Sequence, residues 1–298
     1  MNLLFESSGS GTLGQQRRPT VANTCTGRVR LTIVLGTFVL RSLAAQLSNM
    51  TTIMASPRVL VFQHAPYCPL GTFSEFLAED GIEPQIVELN KGENIPDLEP
   101  FDALIVLGGP MDVWETEAHP FLRPEKVAIR QWVRTLDRPM LGICLGHQLL
   151  ADALGGEVSR AKTPEAGVSN INLSDIGKMH PLLDGFEKSK KAINFHVCEV
   201  TRLPTDGIRL ASTSDCPNAA FYAGSAAFGI QYHAEASDTL FNEWTDLAPG
   251  KALVRQLHGE DGVEQVRNHV TREMPDIKNN AKRLYRNFVK IACNGRDK

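Results

Sequence analysis

Clustered cysteines are missing from this sequence. Its six cysteines stand apart, with no Cys-x-x-Cys pair and no ligand-like spacing to a histidine; they are Cys25, Cys68, Cys144, Cys198, Cys216 and Cys293. A disulfide framework and a structural zinc site both need closely spaced ligands of this kind. We therefore expect a reducing compartment and no metal site.

An excess of positive charge is also missing. Lysine and arginine number 31 against 34 acidic residues, which gives a formal net charge of -3 at pH 7. Proteins that bind nucleic acid or anionic membranes concentrate basic side chains on one surface. The charge balance predicts no nucleic-acid partner and no membrane partner, and it favours a small molecule or another protein.

Phosphate-binding loops are absent too. The sequence has no Gly-x-x-x-x-Gly-Lys-Ser/Thr loop, no pyrophosphatase loop and no dinucleotide fingerprint. These are the loops that hold nucleotide phosphates in many enzymes. We expect no cofactor and no ATP-driven reaction within this chain.

The first 56 residues differ in composition from the rest. They contain one acidic residue, Glu6, against five arginines, and the apolar stretch Leu31 to Leu40 is too short to span a bilayer. This composition is typical of a transit peptide, while Met54, close to the first predicted strand, leaves a mis-assigned start codon open. We interpret residues 1–56 as a leader that is disordered, targeting or a start-site artefact. The expected location is cytoplasmic, or mitochondrial if the leader is real.

From residue 57 onward, apolar runs alternate with helical stretches, which predicts βα units and a mainly parallel sheet. The predicted strands are Arg58 to Gln63, Gln85 to Leu89, Ala103 to Leu107 and Met140 to Ile143, and the predicted helices are Thr72 to Glu79, Arg123 to Leu136 and Gly146 to Leu154. Shorter strands between residues 157 and 229 predict a small antiparallel layer at the edge of the sheet. We expect a doubly wound α/β domain over residues 57–245.

The end of the chain is helical in its pattern. Past Pro249, apolar residues recur at steps of four and three, at Ile277, Ala281, Leu284, Phe288 and Ile291. This spacing gives a helix one apolar face. We expect residues 246–298 to form a helical extension that packs on the domain.

The sharpest local signal is the segment from Gly142 to Gln148, Gly-Ile-Cys-Leu-Gly-His-Gln, where a buried strand meets a helix. A nucleophile on a tight strand-to-helix turn needs small residues two positions to either side, and Gly142 and Gly146 provide them. The helix dipole and the free N–H groups of the first turn favour the thiolate form of Cys144. Alone, the motif also fits a buried inert cysteine in a glycine-rich turn.

A second segment supplies a base and a group to orient it. In Gly-Ile-Gln-Tyr-His-Ala-Glu, residues 229 to 235, the side chains of His233 and Glu235 lie two positions apart and face the same side of an extended chain. Glu235 can accept the ring N–H of His233 and fix its tautomer. By itself the pair also fits a surface ion pair. With Cys144 it forms a candidate catalytic triad.

A third segment, Leu107-Gly108-Gly109-Pro110, follows an apolar strand directly. Glycines at the carboxyl end of a central strand allow backbone N–H groups to approach a developing oxyanion. We expect the N–H groups of Gly109 and Leu145 to form this oxyanion hole, with Gly108 close to the substrate. Taken alone, Gly-Gly-Pro is simply a turn.

Together, these three segments resemble the class I, triad-type glutamine amidotransferase domain, over about Arg58 to Ser237. The resemblance implies a flavodoxin-like sheet, a γ-glutamyl thioester on Cys144, proton transfer by His233 and orientation by Glu235. It also implies that Gln148 helps to hold glutamine. Members of the family release ammonia that a synthetase domain or partner consumes, so the ammonia is expected either to pass to a separate synthetase chain or simply to be released.

One segment departs from the family pattern. Relatives commonly have His-x-Asp near the α-amino end of the substrate, and this chain has His196-Val197-Cys198. We expect His196 and Glu199 to contact the substrate, with Glu199 or another carboxylate replacing the missing acid. The alternative is that the substrate is not free glutamine. Because a thiol replaces the acid, we expect free glutamine to bind weakly, activity without a partner to be low, and Cys198→Asp to raise kcat/KM for glutamine.

Two other functions remain open from the sequence. A γ-glutamyl peptidase acting on glutathione-like peptides would use the same thioester and differ in the leaving group. A non-catalytic binding or regulatory module would keep the fold, although no member of the triad is lost. The favoured function is a cysteine-dependent hydrolase that cleaves the γ-glutamyl amide of glutamine and releases ammonia.

Overall fold

A computed structural model describes residues 56–186 and 191–295 of the protein. The predicted leader, residues 1–56, lies outside these ranges except for its last residue. Within them, no helix is both long enough and apolar enough to span a membrane.

The described residues form ten strands. In chain order they are β1 (Val59–Gln63), β2 (Gln85–Glu88), β3 (Ala103–Val106), β4 (Met140–Ile143), β5 (Glu157–Asn170), β6 (Asn172–Leu173), β7 (Lys191–Arg202), β8 (Ile208–Ser212), β9 (Ala220–Ala223) and β10 (Ala227–Ile230). Eight of them form one sheet in the order β2-β1-β3-β4-β10-β9-β8-β6, and β5 pairs with β7 in a separate sheet.

The central sheet is parallel on one side and antiparallel on the other. Strands β2, β1, β3, β4 and β10 run parallel to one another. Strands β10, β9, β8 and β6 are antiparallel, because connections such as the turn at Gly224, with φ 60°, are too short for a crossover. The predicted fold class, a mainly parallel sheet with an antiparallel edge, is confirmed.

Seven α-helices occur in the described ranges. They are α1 (Thr72–Glu79), α2 (Leu122–Gln131), α3 (Leu145–Ala153), α4 (Asp175–Met179), α5 (Asp238–Asp246), α6 (Ala248–His258) and α7 (Gly262–Asn294). Helix α2 continues into a π-helical turn, Trp132–Leu136, which ends at Asp137 with a left-handed φ of 50°. Short 3-10 turns lie at Leu89–Lys91 and Pro181–Leu183.

Helices cover both faces of the sheet. Successive strand residues point to opposite sides, and the apolar side chains on each side are buried in a cluster of their own. On one face, Val61 shares a buried cluster with Phe76 of α1 and Leu284 of α7. On the other face, Phe62 packs in a second cluster with Trp132. The first cluster joins α7 to the sheet, so the core is continuous across the boundary predicted at residue 245.

Candidate active site

Cys144 lies on a sharp turn between β4 and α3. Its φ of 51° is one of two positive values at non-glycine residues in the described chain, and such values concentrate at functional sites. A Cβ on Gly142 would lie 2.4 Å from the carbonyl oxygen of Gly146, and one on Gly146 would lie 2.1 Å from that of Val106. Both flanking glycines are therefore required by close backbone contacts, as the sequence predicts.

The residues His233 and Glu235 lie beside this turn, just past the end of β10. The Nδ1 atom of His233 is 2.7 Å from Oε1 of Glu235, and both side chains are buried. The backbone N–H of His233 donates to the carbonyl of Ile193 on β7. Trp244 of α5 packs against the imidazole with ring centroids 4.5 Å apart. The imidazole is therefore held by a carboxylate, a strand and an indole ring.

The protonation of His233 depends on its two neighbours. Burial lowers its pKa, but the negative charges of Glu235 and Cys144 outweigh burial, so the pKa of His233 is raised above its ordinary value. A raised histidine pKa favours the protonated imidazolium form of His233. The structure therefore brings together Cys144, His233 and Glu235, the side chains of the predicted triad.

The Gly108–Gly109 turn lies against the same residues. A Cβ on Gly108 would be 3.1 Å from Cε1 of His233 and 3.6 Å from Cβ of Cys144, while Gly109 lines the neighbouring pocket. Leu145 is the first residue of α3, where N–H groups have no acceptor within the helix. Gly109 thus lines the same pocket as Cys144, and Leu145 follows Cys144 directly in the chain. Gly108 lies against His233 and Cys144 and is not among the residues lining the pocket.

A buried ion pair supports this turn from behind. His64 donates through Nδ1 to the carbonyl of Gly108 at 3.1 Å, and its Nε2 is 2.8 Å from Oε1 of Glu125. Both side chains are fully buried. Burial opposes the charged imidazole, but Glu125 outweighs it and raises the pKa of His64. No sequence motif predicts this pair, because its members are 61 positions apart.

A pocket of about 240 Å³ opens at Cys144. Its wall contains both predicted residues and residues that the motifs did not include. The lining residues are Tyr67, Cys68, Gly109, Pro110, Met111, Asp112, Cys144, Gln148, Phe195, His196, Val197, Cys198, His233, Trp244, Leu247, Pro249, Gly250 and Leu253. The cavity therefore lies between the carboxyl end of the central sheet, strand β7 and the helices α5 and α6.

Gln148 lies on this wall as the sequence predicts, but its amide group is partly committed. Its Nε2 donates to the carbonyl of Cys198 at 3.0 Å and to Oε1 of Gln231 at 3.1 Å. An amide nitrogen has two hydrogens, so its carbonyl oxygen is the group left to offer a ligand. Gln231 lies in the same segment as His233 and Glu235, and its Nε2 is 3.6 Å from Sγ of Cys144.

Of the two other predicted substrate contacts, His196 lines the pocket and Glu199 does not. The ring of His196 borders the pocket, yet Nδ1 faces the carbonyl of Cys198 at 3.0 Å and Nε2 faces Glu165 at 3.2 Å. Glu199 is absent from the pocket wall and contacts the backbone N–H of Lys162. Neighbouring strand residues point to opposite faces, so Cys198 faces the pocket and Glu199 faces away.

The structure places a different carboxylate beside Cys198. Asp112, two residues beyond Gly-Gly-Pro, lines the pocket and accepts the Sγ–H of Cys198 at 3.0 Å. Its other oxygen accepts from Arg160 of β5 at 2.5 Å. Burial, together with the hydrogen bond to Asp112, raises the pKa of Cys198 to about 12, which favours the protonated thiol that donates this hydrogen bond.

One group of side chains in the described ranges has the composition of a metal site. Glu165, His196 and Cys216 are buried, and their ligand atoms lie within 4.8 Å of one another. Glu165 also accepts hydrogen bonds from Ser169 and Thr213. These bonds satisfy the carboxylate without an ion, so we assign no metal to this cluster.

A model of the class I glutamine amidotransferase family matches residues 73–245, more than half of the chain. The chain belongs to this family. The matched range contains all three members of the triad and most of the pocket wall, although the wall continues beyond the match through Leu247 and the first turns of α6.

Among similar proteins, a subunit of the glutamine-hydrolysing GMP synthase of Sulfolobus acidocaldarius is 33% identical over 177 residues, covering 57% of this chain and 87% of the relative. A glutamine-hydrolysing GMP synthase of Aeropyrum pernix is 32% identical over 237 residues, and this chain spans 43% of that protein's length. A putative glutamine amidotransferase-like protein of Salmonella typhimurium is 31% identical over 182 residues, or 60% of this chain and 75% of the relative.

Solved structures agree with this assignment. A glutamine amidotransferase from Thermotoga maritima superposes with a TM-score of 0.68 at 25% identity, covering 78% of this chain and 98% of that one. One from Methylobacillus flagellatus has a TM-score of 0.69 at 22% identity, over 79% and 95% of the two chains, and shares the fold. Family membership supports the predicted function class, glutamine hydrolysis with release of ammonia, and does not favour the peptidase or the non-catalytic module.

Proposed function

We propose that this amidotransferase hydrolyses the side-chain amide of free glutamine through a thioester on Cys144. The observation that carries the proposal is that Cys144 and His233 line a single pocket, and that Glu235 lies behind His233 with its Oε1 2.7 Å from Nδ1 of the imidazole. A cysteine, a base and an orienting carboxylate are the parts that covalent amide hydrolysis requires.

The first half of the reaction forms the thioester. The sulfur of Cys144 attacks the amide carbon, and the carbonyl oxygen becomes an oxyanion facing the N–H groups of Gly109 and Leu145. The His233 imidazolium then donates a proton to the amide nitrogen, the carbon–nitrogen bond breaks, and ammonia leaves. The glutamyl group remains bound to sulfur.

The second half regenerates the enzyme. Neutral His233 takes a proton from water, and the resulting hydroxide attacks the thioester carbon. The carbon–sulfur bond breaks, glutamate leaves, and the thiolate of Cys144 is restored next to the imidazolium. The balance is one glutamine and one water converted to one glutamate and one ammonia. Glu235 stabilises the imidazolium in both halves.

The acceptor of the ammonia belongs to the same proposal. Relatives named as GMP synthase subunits are, by that name, parts of an enzyme with more than one chain. A separate synthetase chain that consumes ammonia therefore suits this protein. We also propose a cytoplasmic location, or a mitochondrial one if residues 1–56 direct import, which a fluorescent fusion of that segment would distinguish.

Ammonia release by the purified protein tests the central step. We expect Cys144→Ala to abolish glutamine hydrolysis while the far-ultraviolet circular dichroism stays that of the wild type, since alanine removes the nucleophile. The matched control is Cys293→Ala, which removes a thiol in α7 outside the pocket and should leave the rate unchanged. Turnover by Cys144→Ala near the wild-type rate would exclude the mechanism.

A further inference from the structure

The pocket contains one obvious partner for a positive charge. Asp112 is the sole carboxylate among the described residues that line it. Its side chain is only 10% exposed, so a cation inside the pocket would meet this group with little competing water. An unpaired ammonium in such a site would otherwise lose hydration without compensation.

The structure holds the Asp112 carboxylate in a fixed position. Arg160 binds one oxygen at 2.5 Å, and its guanidinium also lies over the ring of Trp114, 5.8 Å from the ring centroid. The backbone N–H of Asp112 donates to Glu115 at 2.8 Å. These contacts fix the loop and turn the second oxygen toward Cys198.

Cys198 contributes a weak and replaceable donor to that second oxygen. A thiol hydrogen bond is weaker than one from an ammonium group, and a carboxylate oxygen can accept more than one donor. Cys198 and Cys144 line the same pocket. Only three carbon–carbon bonds separate the amide carbon of glutamine from the carbon that carries its ammonium, so a short pocket can hold both ends.

We propose that Asp112 binds the α-ammonium group of the amino-acid substrate, and that Arg160 positions it. This inference rests on the proposed hydrolysis of glutamine and adds the residue that selects an amino acid over a plain amide. In this proposal Asp112 takes the role that the sequence predicts for Glu199, which is to bind the α-ammonium group. It also reverses the expectation for Cys198→Asp, since that change would place two carboxylates together and should not improve hydrolysis.

The test compares glutamine with 5-amino-5-oxopentanoate, which has the same amide and lacks the α-amino group. We expect the wild type to favour glutamine in kcat/KM, and Asp112→Asn to reduce this preference about 10- to 100-fold, mainly through the KM for glutamine. Glu117→Gln is the matched control, because it removes an exposed carboxylate from the same loop. It should leave the preference unchanged.

A carboxylate exchange separates binding from structural support. The double variant Asp112→Asn/Cys198→Asp returns a negative charge about one hydrogen bond away from the original. Its preference for glutamine over the analogue should therefore be at least tenfold higher than that of Asp112→Asn. A preference that Asp112→Asn leaves intact, or a loss that the double variant fails to recover, would overturn the role of Asp112. A wild type that hydrolyses neither amide would instead overturn the proposed function.

Discussion

At the scale of single residues, His233 is the side chain whose environment matters most. Its pKa is set by a balance between burial, which lowers it, and the charges of Glu235 and Cys144, which raise it. When the charge of Glu235 is removed, burial has the larger effect on the pKa of His233. The pKa of His233 should then fall, and the imidazolium should be lost at a lower pH.

Replacing the two partners separately should give different losses. We expect His233→Ala to reduce kcat by about 10⁴-fold, because the acid–base group itself is removed, and Glu235→Gln by about 10²-fold, because orientation and charge are weakened. Steady-state ammonia release gives both values. Equal or reversed losses would mean that the roles of these residues are misassigned.

The same pair should affect stability in a pH-dependent way. A raised histidine pKa contributes stability that is complete below the pKa of an unfolded histidine and is lost as the pH rises through the folded value. The difference in free energy of unfolding between wild type and Glu235→Gln should therefore shrink as the pH rises above neutral. Urea unfolding at several pH values measures this difference.

Site residues that are close in the chain could be predicted from the sequence, and one that is distant could not. Cys144 with its two glycines, and His233 with Glu235, are local patterns whose geometry follows from a turn and from strand alternation. Asp112 meets Cys198 across 86 positions. No local pattern specifies that contact, although Asp112 stands two residues after the Gly-Gly-Pro turn that the sequence does indicate.

At the scale of elements, the start of α1 holds the triad in place. The backbone N–H and the hydroxyl of Thr72 both donate to the carbonyl of Glu235, at 2.8 and 3.1 Å. Gly71, with φ 53°, passes so close that a Cβ there would lie 2.1 Å from that carbonyl oxygen. A helix terminus with free N–H groups thus binds the backbone of the orienting residue.

A substitution at Gly71 tests this contact. We expect Gly71→Ala to push α1 away from Glu235 and to reduce kcat about 100-fold, since small displacements of catalytic groups have effects of that size. Gly81→Ala is the matched control at the other end of the helix, where φ is 66° and no atom lies within 4 Å of the added Cβ. It should cost about 1–2 kcal/mol of stability and leave kcat unchanged, and equal activity losses in both variants would contradict this role of Gly71.

The elements that complete the pocket could not be placed from sequence. Helix periodicity predicts that the end of the chain is helical, but not that Trp244 of α5 packs on His233 or that Leu253 of α6 lines the pocket. Periodicity shows which face of a helix is apolar and does not show what covers it. The parallel strands and the helix α3 were predictable because short apolar runs and helical spacing are local patterns.

At the scale of the whole molecule, the last helix, α7, packs on the α/β domain. Leu284 and Phe288 are buried in the cluster that includes α1, and Tyr285 donates to Asp80 at 2.9 Å. The ion pairs of Lys278 and Lys282 with α1 are exposed and add little. Apolar burial is therefore the main force that holds α7 in place.

The N-terminal segment gives a prediction at this scale. We expect a chain that starts at Met54 to be soluble and as active as the full chain, because the preceding residues lack the periodic apolar face needed to join a core. Thermal unfolding and ammonia release compare the two proteins. A lower melting temperature of the shorter chain would show that the segment packs on the domain.

Labelling with a diazoketone analogue of glutamine tests the central claim most directly, followed by peptide mass analysis of the three cysteines that line the pocket. Burial raises the pKa of Cys68 and of Cys198, the charge of Cys144 adding to the effect in each case, so both remain thiols. We predict one adduct per chain, on Cys144, and protection by glutamine. An adduct on Cys68 or Cys198 in place of Cys144, or no protection by glutamine, would contradict the assignment of Cys144 as the nucleophile of a glutamine-binding pocket.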